Sequence, residues 1–249
     1  MRQMLDELKA QESILNGMSV TIGMGSMVNT AGSIRKSFLD AVFMIKQRLL
    51  LGTGRMLEMD EAQQRKNSDF INSEAFYRFN REMERAVEAL NVVETRRTIE
   101  GLRDVLKNYP GITGYEILQM TKEACNHYLF CMKSRGIRVD SEAKFVEEFS
   151  KDAGECADIE ELFRLLGGTI GRSLQKASEA KKAEDNRPIR QAKQYIEENY
   201  SRSLTLEEVS EMAGFAPGYF STLFKKETGV TFLEFLQSVR MDAAKKLLV

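Results

Sequence analysis

The spacing of apolar positions changes several times along the chain, and each change marks an element. Residues 1–15 repeat at helical spacing, with Met4, Leu5 and Leu8 on one face. Asn16-Gly17 is a turn signal. Ser19 to Val28 then alternates, with Val20, Ile22 and Met24 pointing one way and Thr21, Gly23 and Gly25 the other, which is a strand period. An amphipathic helix follows from about Ile34 to Leu51, then Gly52-Thr53-Gly54 and a short strand from Arg55 to Met59. Residues 60–69 are polar and read as a loop. From Ser73 to about Lys182 the period is helical throughout. Phe76, Phe79, Met83, Val87 and Leu90 make one stripe; Ile99, Leu102, Val105 and Leu106 make the next. Asn108-Tyr109-Pro110-Gly111 breaks the pattern, and Thr113 with Glu116 has the capping-box spacing for a helix reaching about Met132. Arg135-Gly136 is a second break, Ser141 opens a short helix, and Asp158 with Glu161 caps a long one. These stripes must pack on each other, which predicts a helical bundle.

Ser173 to Asn186 is polar and charge-mixed and leads into Arg187-Pro188. Proline disfavours helix at the residue before it, so a domain boundary is expected here. A helix from Ile189 to about Asn199 turns Ile189, Ala192, Tyr195 and Ile196 inward. Leu204 to Gly229 then reads as two short helices with a tight corner. Thr205 and Glu208 have capping-box spacing, so each side chain is expected to satisfy a backbone N–H of the other. Leu206, Val209, Met212 and Ala213 share a face of the first helix, with Ala213 as the small residue that a steep helix crossing needs. Gly214 stands where a helix ends left-handed, and Pro217 suits the first position of a new one. The second helix turns Phe220, Leu223 and Phe224 inward and Gly218, Tyr219, Ser221, Thr222, Lys225 and Lys226 outward.

That is helix-turn-helix spacing, and the second helix is the one placed in a DNA major groove. Ser221 and Thr222 carry hydroxyls that reach base edges, and Lys225 and Lys226 neutralise phosphates. Tyr219 serves as a phosphate contact or as partial core. The same spacing also describes an ordinary pair of amphipathic helices in a helical domain. Leu223-Phe224-Lys225-Lys226-Glu227-Thr228-Gly229, preceded by Leu206-Glu207-Glu208-Val209 and followed by Phe232-Leu233-Glu234-Phe235-Leu236, closely resembles the first half of an AraC/XylS-type DNA-binding domain. The resemblance runs from about Ile189 to the end of the chain. Members of that family carry two helix-turn-helix units joined by one long helix. Thr231 and Glu234 form another capping box, and Phe232 to Leu248 looks like the joining helix, so the chain stops at Val249 before the second unit. Many members have Arg immediately before the Leu-Phe pair. Thr222 stands there instead, which removes bidentate guanine readout at that position.

Near the start, VTIGMG, a helix containing Ala41-Val42 and the Gly-Thr-Gly-Arg turn into a strand resemble the C-terminal half of a GGDEF-like domain. The version it looks like is the degenerate one between receiver and DNA reader in YesN-type response regulators. The GGDEF signature would lie upstream of Met1, and no cyclase activity is inferred. A phosphate-loop reading of Gly23 and Gly25 fails, since no GxGxxG continues it and no helix follows directly. The glycines instead let a neighbouring helix lie close on the strand.

Composition narrows the chemistry. With 43% hydrophobic and 29% charged residues the chain reads as a soluble globular protein, and no apolar run is long enough for a membrane. There is no secretory signal, and three cysteines without framework spacing fit a reducing cytoplasm. The net charge of −1 advertises no nucleic-acid partner, so one copy is expected to hold DNA weakly. Cys125, His127 and Cys131 share one predicted helix, but Cys125 and His127 point in different directions and the chain has no other histidine. Buried cysteines beside Leu129 and Met132 are expected rather than a metal site. Glu147-Glu148 and Glu160-Glu161 are adjacent in sequence, hence solvated faces, and neither catalysis nor a cofactor is expected.

The expected fold class is mainly α with a small α+β N-terminal part: residues 1–60 α+β, 70–186 a helical linker or bundle, and 187–249 the truncated DNA reader. The expected function is a cytoplasmic DNA-binding transcription regulator, the output part of a two-component response regulator. DNA is the partner, with a homodimer through the helical region and no membrane. The alternative is a helical signalling or interaction fragment without competent DNA binding. Apolar Leu247, Leu248 and Val249 at the end favour that alternative.

Overall fold

The computed structural model describes residues 20–59, 68–137, 139 and 141–247. The helix expected over residues 1–15, the Asn16-Gly17 turn, most of the polar loop and Leu248 lie outside the described residues. Contacts divide the chain into two compact units, Met1–Ala177 and Ser178–Val249. The fold is mainly α with one small sheet, a helical bundle and a C-terminal helix-turn-helix.

In the first unit, β1 (Ile22–Gly23) and β2 (Met56–Leu57) pair in parallel, Ile22 opposite Met56 and Gly23 opposite Leu57. Both strands are shorter than the alternation suggests. Between them run α1 (Ile34–Lys46) and α2 (Arg48–Leu51). A Cβ on Gly23 would stand 2.4 Å from the Ala41 carbonyl oxygen, and one on Gly25 1.9 Å from that of Ser37. The two glycines therefore exist to seat α1 on the strand. Gly25→Ala is expected to destabilise the first unit by about 1–3 kcal/mol through overpacking. Gly101 lies in a helix interior with nothing within 4 Å of its added Cβ, so Gly101→Ala is expected to stabilise by about 0.5–1 kcal/mol. Denaturant midpoints of the two variants should move in opposite directions.

The helix expected over Ile34 to Leu51 is interrupted at Gln47, and tertiary contacts explain why. The Gly114 N–H donates to Gln47 Oε1 at 3.0 Å. A Cβ on Gly114 would meet the Lys46 carbonyl oxygen at 2.0 Å, so only glycine lets the helix that begins at Gly114 start this close. Arg48 is buried. Its guanidinium donates to Ile45 O at 3.1 Å, to Cys156 O at 2.9 Å and to Gly154 O. It thereby satisfies carbonyls at a helix C-terminus, where positive charge is favoured.

The bundle comprises α3 (Glu74–Glu88), α4 (Val92–Asn108), α5 (Gly114–Ser134), α6 (Glu142–Glu155) and α7 (Ile159–Asp185). Met83, Val87, Ile99, Leu106, Ile117, Leu162 and Leu166 fill one continuous core. Both expected caps form. Thr113 and Glu116 make the reciprocal capping box. Asp158 Oδ1 accepts from Glu161 N–H at 2.8 Å, while Glu161 reaches back to the Ala157 N–H at 2.7 Å. Two stripe members depart from expectation. Leu90 lies past the end of α3 at φ 48°, and Val105 is 40% exposed on α4. The polar stretch from Ser173 continues α7 as helix to Asp185, three residues beyond the expected end near Lys182.

In the second unit α8 (Arg187–Asn199) begins at the residue expected to resist helix. Pro188 falls in the first turn, where its missing N–H has no intrahelical partner, and that offsets the steric bias at Arg187. α9 (Leu206–Met212), α10 (Pro217–Thr228) and α11 (Phe232–Leu247) complete the unit. Their core is Ile189, Ala192, Ile196, Leu204, Val209, Phe220, Phe224, Phe232 and Leu236.

Candidate nucleic-acid interface

The corner between α9 and α10 is fixed by backbone geometry. Gly214 has φ +77° and donates to Glu211 O at 3.0 Å, and the Phe215 N–H donates to Ser210 O at 2.9 Å. These two bonds are a Schellman ending, which only a residue at ease with positive φ completes cheaply. Pro217 then occupies the first turn of α10. Phe220 and Phe224, both fully buried with rings 5.5 Å apart, anchor α10 inward. Phe224 also meets Phe235 of α11 edge-on at 5.6 Å.

At 100° per residue the face opposite these anchors is centred on Thr222. Gly218, Thr222, Lys225 and Lys226 are exposed there together. Ser221 lies on the flank and is half-buried. Tyr219 is 59% exposed with its ring 5.3 Å from Phe215, so it packs along the corner while its hydroxyl faces solvent. The Thr222 hydroxyl donates to Gly218 O at 3.1 Å, leaving its lone pairs outward. Lys225 and Lys226 occupy the last turn, where positive charge also suits the helix end. Glu234 accepts from the Thr231 N–H and hydroxyl, and those bonds, with the Lys225 charge, hold its carboxyl below the ordinary range.

The Thr205–Glu208 box forms only in half. Thr205 Oγ1 accepts from Glu208 N–H at 3.2 Å. The Glu208 carboxylate turns instead to Arg202, at 2.5 Å, and to the Tyr195 hydroxyl, at 2.8 Å. A charged donor outbids a neutral backbone N–H for a carboxylate. Arg240 of α11 donates to Tyr200 O at 2.9 Å and Arg202 O at 2.8 Å, holding the same loop. Sequence spacing gave no signal for either arginine. The Arg202 and Tyr195 bonds hold Glu208 below the ordinary glutamate range. A depressed carboxyl stabilises above its unfolded pKa and loses that contribution as pH falls through its folded value. The second unit should therefore melt at lower temperature in acid, and less steeply so in Glu208→Gln. Thermal melts followed at several pH values check this.

The cysteines of the cysteine–histidine helix are buried, as their place beside Leu129 and Met132 predicts. Burial pushes the Cys125 thiol up to about 12 and Cys131 up to about 11. It is His127 and Cys131, one turn apart, that meet, with Nε2 3.6 Å from Sγ. Nε2 also lies 3.0 Å from Asn80 O, a bond that its N–H donates. Among the described residues no group of three or more His, Cys, Asp or Glu gathers around a common point.

Residues 196–237 match the family of bacterial regulatory helix-turn-helix proteins, AraC family. The second unit therefore carries an AraC-family helix-turn-helix segment. The chain is 39% identical over 56 residues to the bifunctional transcriptional activator/DNA repair enzyme AdaA of Bacillus subtilis, covering 22% of this chain and 26% of that protein. It is 35% identical over 72 residues to the HTH-type transcriptional activator Btr of the same organism, covering 29% and 14%. To the multiple antibiotic resistance protein MarA of Salmonella typhimurium it is 39% identical over 54 residues, covering 21% and 42%. The chain thus spans between 14% and 42% of the length of these relatives. No solved structure matches it. Among the described residues no helix is long and apolar enough to cross a membrane.

Proposed function

We propose that this chain is a DNA-binding transcription regulator that reads the major groove with α10. Gly218 gives close backbone approach, Ser221 and Thr222 contact base edges, Tyr219 and the lysines Lys225 and Lys226 contact phosphates. The observation that carries the reading is the exposed α10 face centred on Thr222, held by the Phe220 and Phe224 anchors inside a segment matching the AraC family. The chain acts in the cytoplasm as a non-enzymatic output part of a YesN-like response regulator within a two-component system. In this reading residues 1–60 are a partial GGDEF-like domain, 70–186 a helical linker and 187–249 the reader. The parallel β1–β2 pair with α1 crossing between its strands supports the first of these assignments. A homodimer through the helical region presents two readers to two half-sites, which offsets the weakness of one.

Selection from a random duplex pool tests the reading. The full chain is expected to enrich a short motif, and Thr222→Ala to relax preference at one position. A pool that emerges unenriched overturns it. A second reading rests on α11, where Leu233, Met241 and Leu247 are 64%, 58% and 86% exposed. In it the unit is an interaction module and α11 receives another protein surface.

A further inference from the structure

The α5 and α6 helices enclose an open groove of ≈ 730 Å³ on the outside of the bundle. Its floor is apolar, with Leu129 buried and Val146 half-buried, and Phe130 stands at its lip 66% exposed. Its two walls carry opposite charge. Lys122 and Lys133 lie on the α5 side, Glu142 and Glu147 on the α6 side. All four are exposed, and none makes an ion pair or side-chain hydrogen bond among the described residues. A short connection makes the two helices antiparallel neighbours, so Lys133 and Glu142 share the end of the groove next to the loop.

A surface with one positive wall and one negative wall is complementary to itself. In a two-fold pair the same patch serves both copies. With the axis along the groove, α5 of one copy faces α6 of the other. Lys133 then stands opposite Glu142 of the partner copy, and each Phe130 covers the other groove's apolar floor. We infer that the α5–α6 groove is the homodimer interface of this protein, with a second copy of the chain as its occupant. A wall of single sign would have pointed to a foreign partner; two walls of opposite sign, without ion pairs among the described residues, point to self-recognition. The inference rests on the dimeric part of the proposed function and is independent of DNA binding.

Light scattering behind size exclusion, on the full chain over a range of concentrations, tests it. The wild type is expected to form a dimer that dissociates on dilution. Phe130→Asp should raise the dissociation constant about tenfold or more, as for a central aromatic contact. Lys133→Glu and Glu142→Lys should each be monomeric at concentrations where the wild type is dimeric, since like charges then face each other. An equimolar mixture of these two variants should restore a dimer, which misfolded variants would not do. A wild type that stays monomeric overturns the inference. So does a dimer indifferent to Phe130→Asp, or a mixture that fails to re-associate. None of these readouts involves DNA, so the dimer and the reader fail or stand separately.

Discussion

Replacing Lys225 and Lys226 together by alanine is expected to lower the affinity of the chain for duplex DNA by tenfold or more and to flatten its salt dependence. The second unit has no large positive field to fall back on. Glu207, Glu208 and Glu211 on α9 oppose the two lysines on α10, and the whole chain carries a net charge of −1. Each phosphate contact releases counterions, and losing two should reduce the slope of log K against log salt by about 1.8. Fluorescence anisotropy at two salt concentrations measures both quantities. Unchanged affinity and slope would show that α10 does not meet the phosphates, and the α11 surface would become the place to seek a partner.

The second large effect is structural. Phe224→Ala is expected to unfold the second unit while leaving the first folded. Phe224 is fully buried between Phe220 of its own helix and Phe235 of α11. Removing a buried phenyl ring costs about 3–5 kcal/mol, because a cavity remains after the lost transfer energy. A single core in a unit of about seventy residues supplies only about 3–5 kcal/mol in all. The substitution thus consumes the stability of the unit. Limited proteolysis should remove Ser178–Val249 rapidly and leave a resistant fragment ending near Ala177. DNA binding should vanish with it. Leu233→Ala, on the exposed side of α11, is the control and should change stability by no more than about 0.5 kcal/mol. A Phe224→Ala protein that resists protease like the wild type would mean that α10 is held by something other than its phenylalanine anchors.

Local rules written into the sequence determined much of this protein. The stripes at Phe76, Phe79, Met83 and Val87 and at Ile99, Leu102 and Leu106 face the core as their period demands. Thr113-Glu116 and Thr231-Glu234 cap their helices, and Gly214 and Pro217 make the corner, because each needs only neighbours within a turn or two. The close approach implied by Gly23 and Gly25 was legible too, since a missing Cβ is itself a statement about space. The tertiary structure alone decided whatever depended on a distant competitor. Glu208 left its box for Arg202 and Tyr195, a choice between two partners that spacing cannot rank. Gln47 broke a helix because the start of α5 came down on it, and Arg48 was buried because carbonyls more than a hundred residues away needed a donor. The opposed charged walls of the α5–α6 groove belong to the same class. They arise only when two helices lie side by side, which helical spacing within either one does not state.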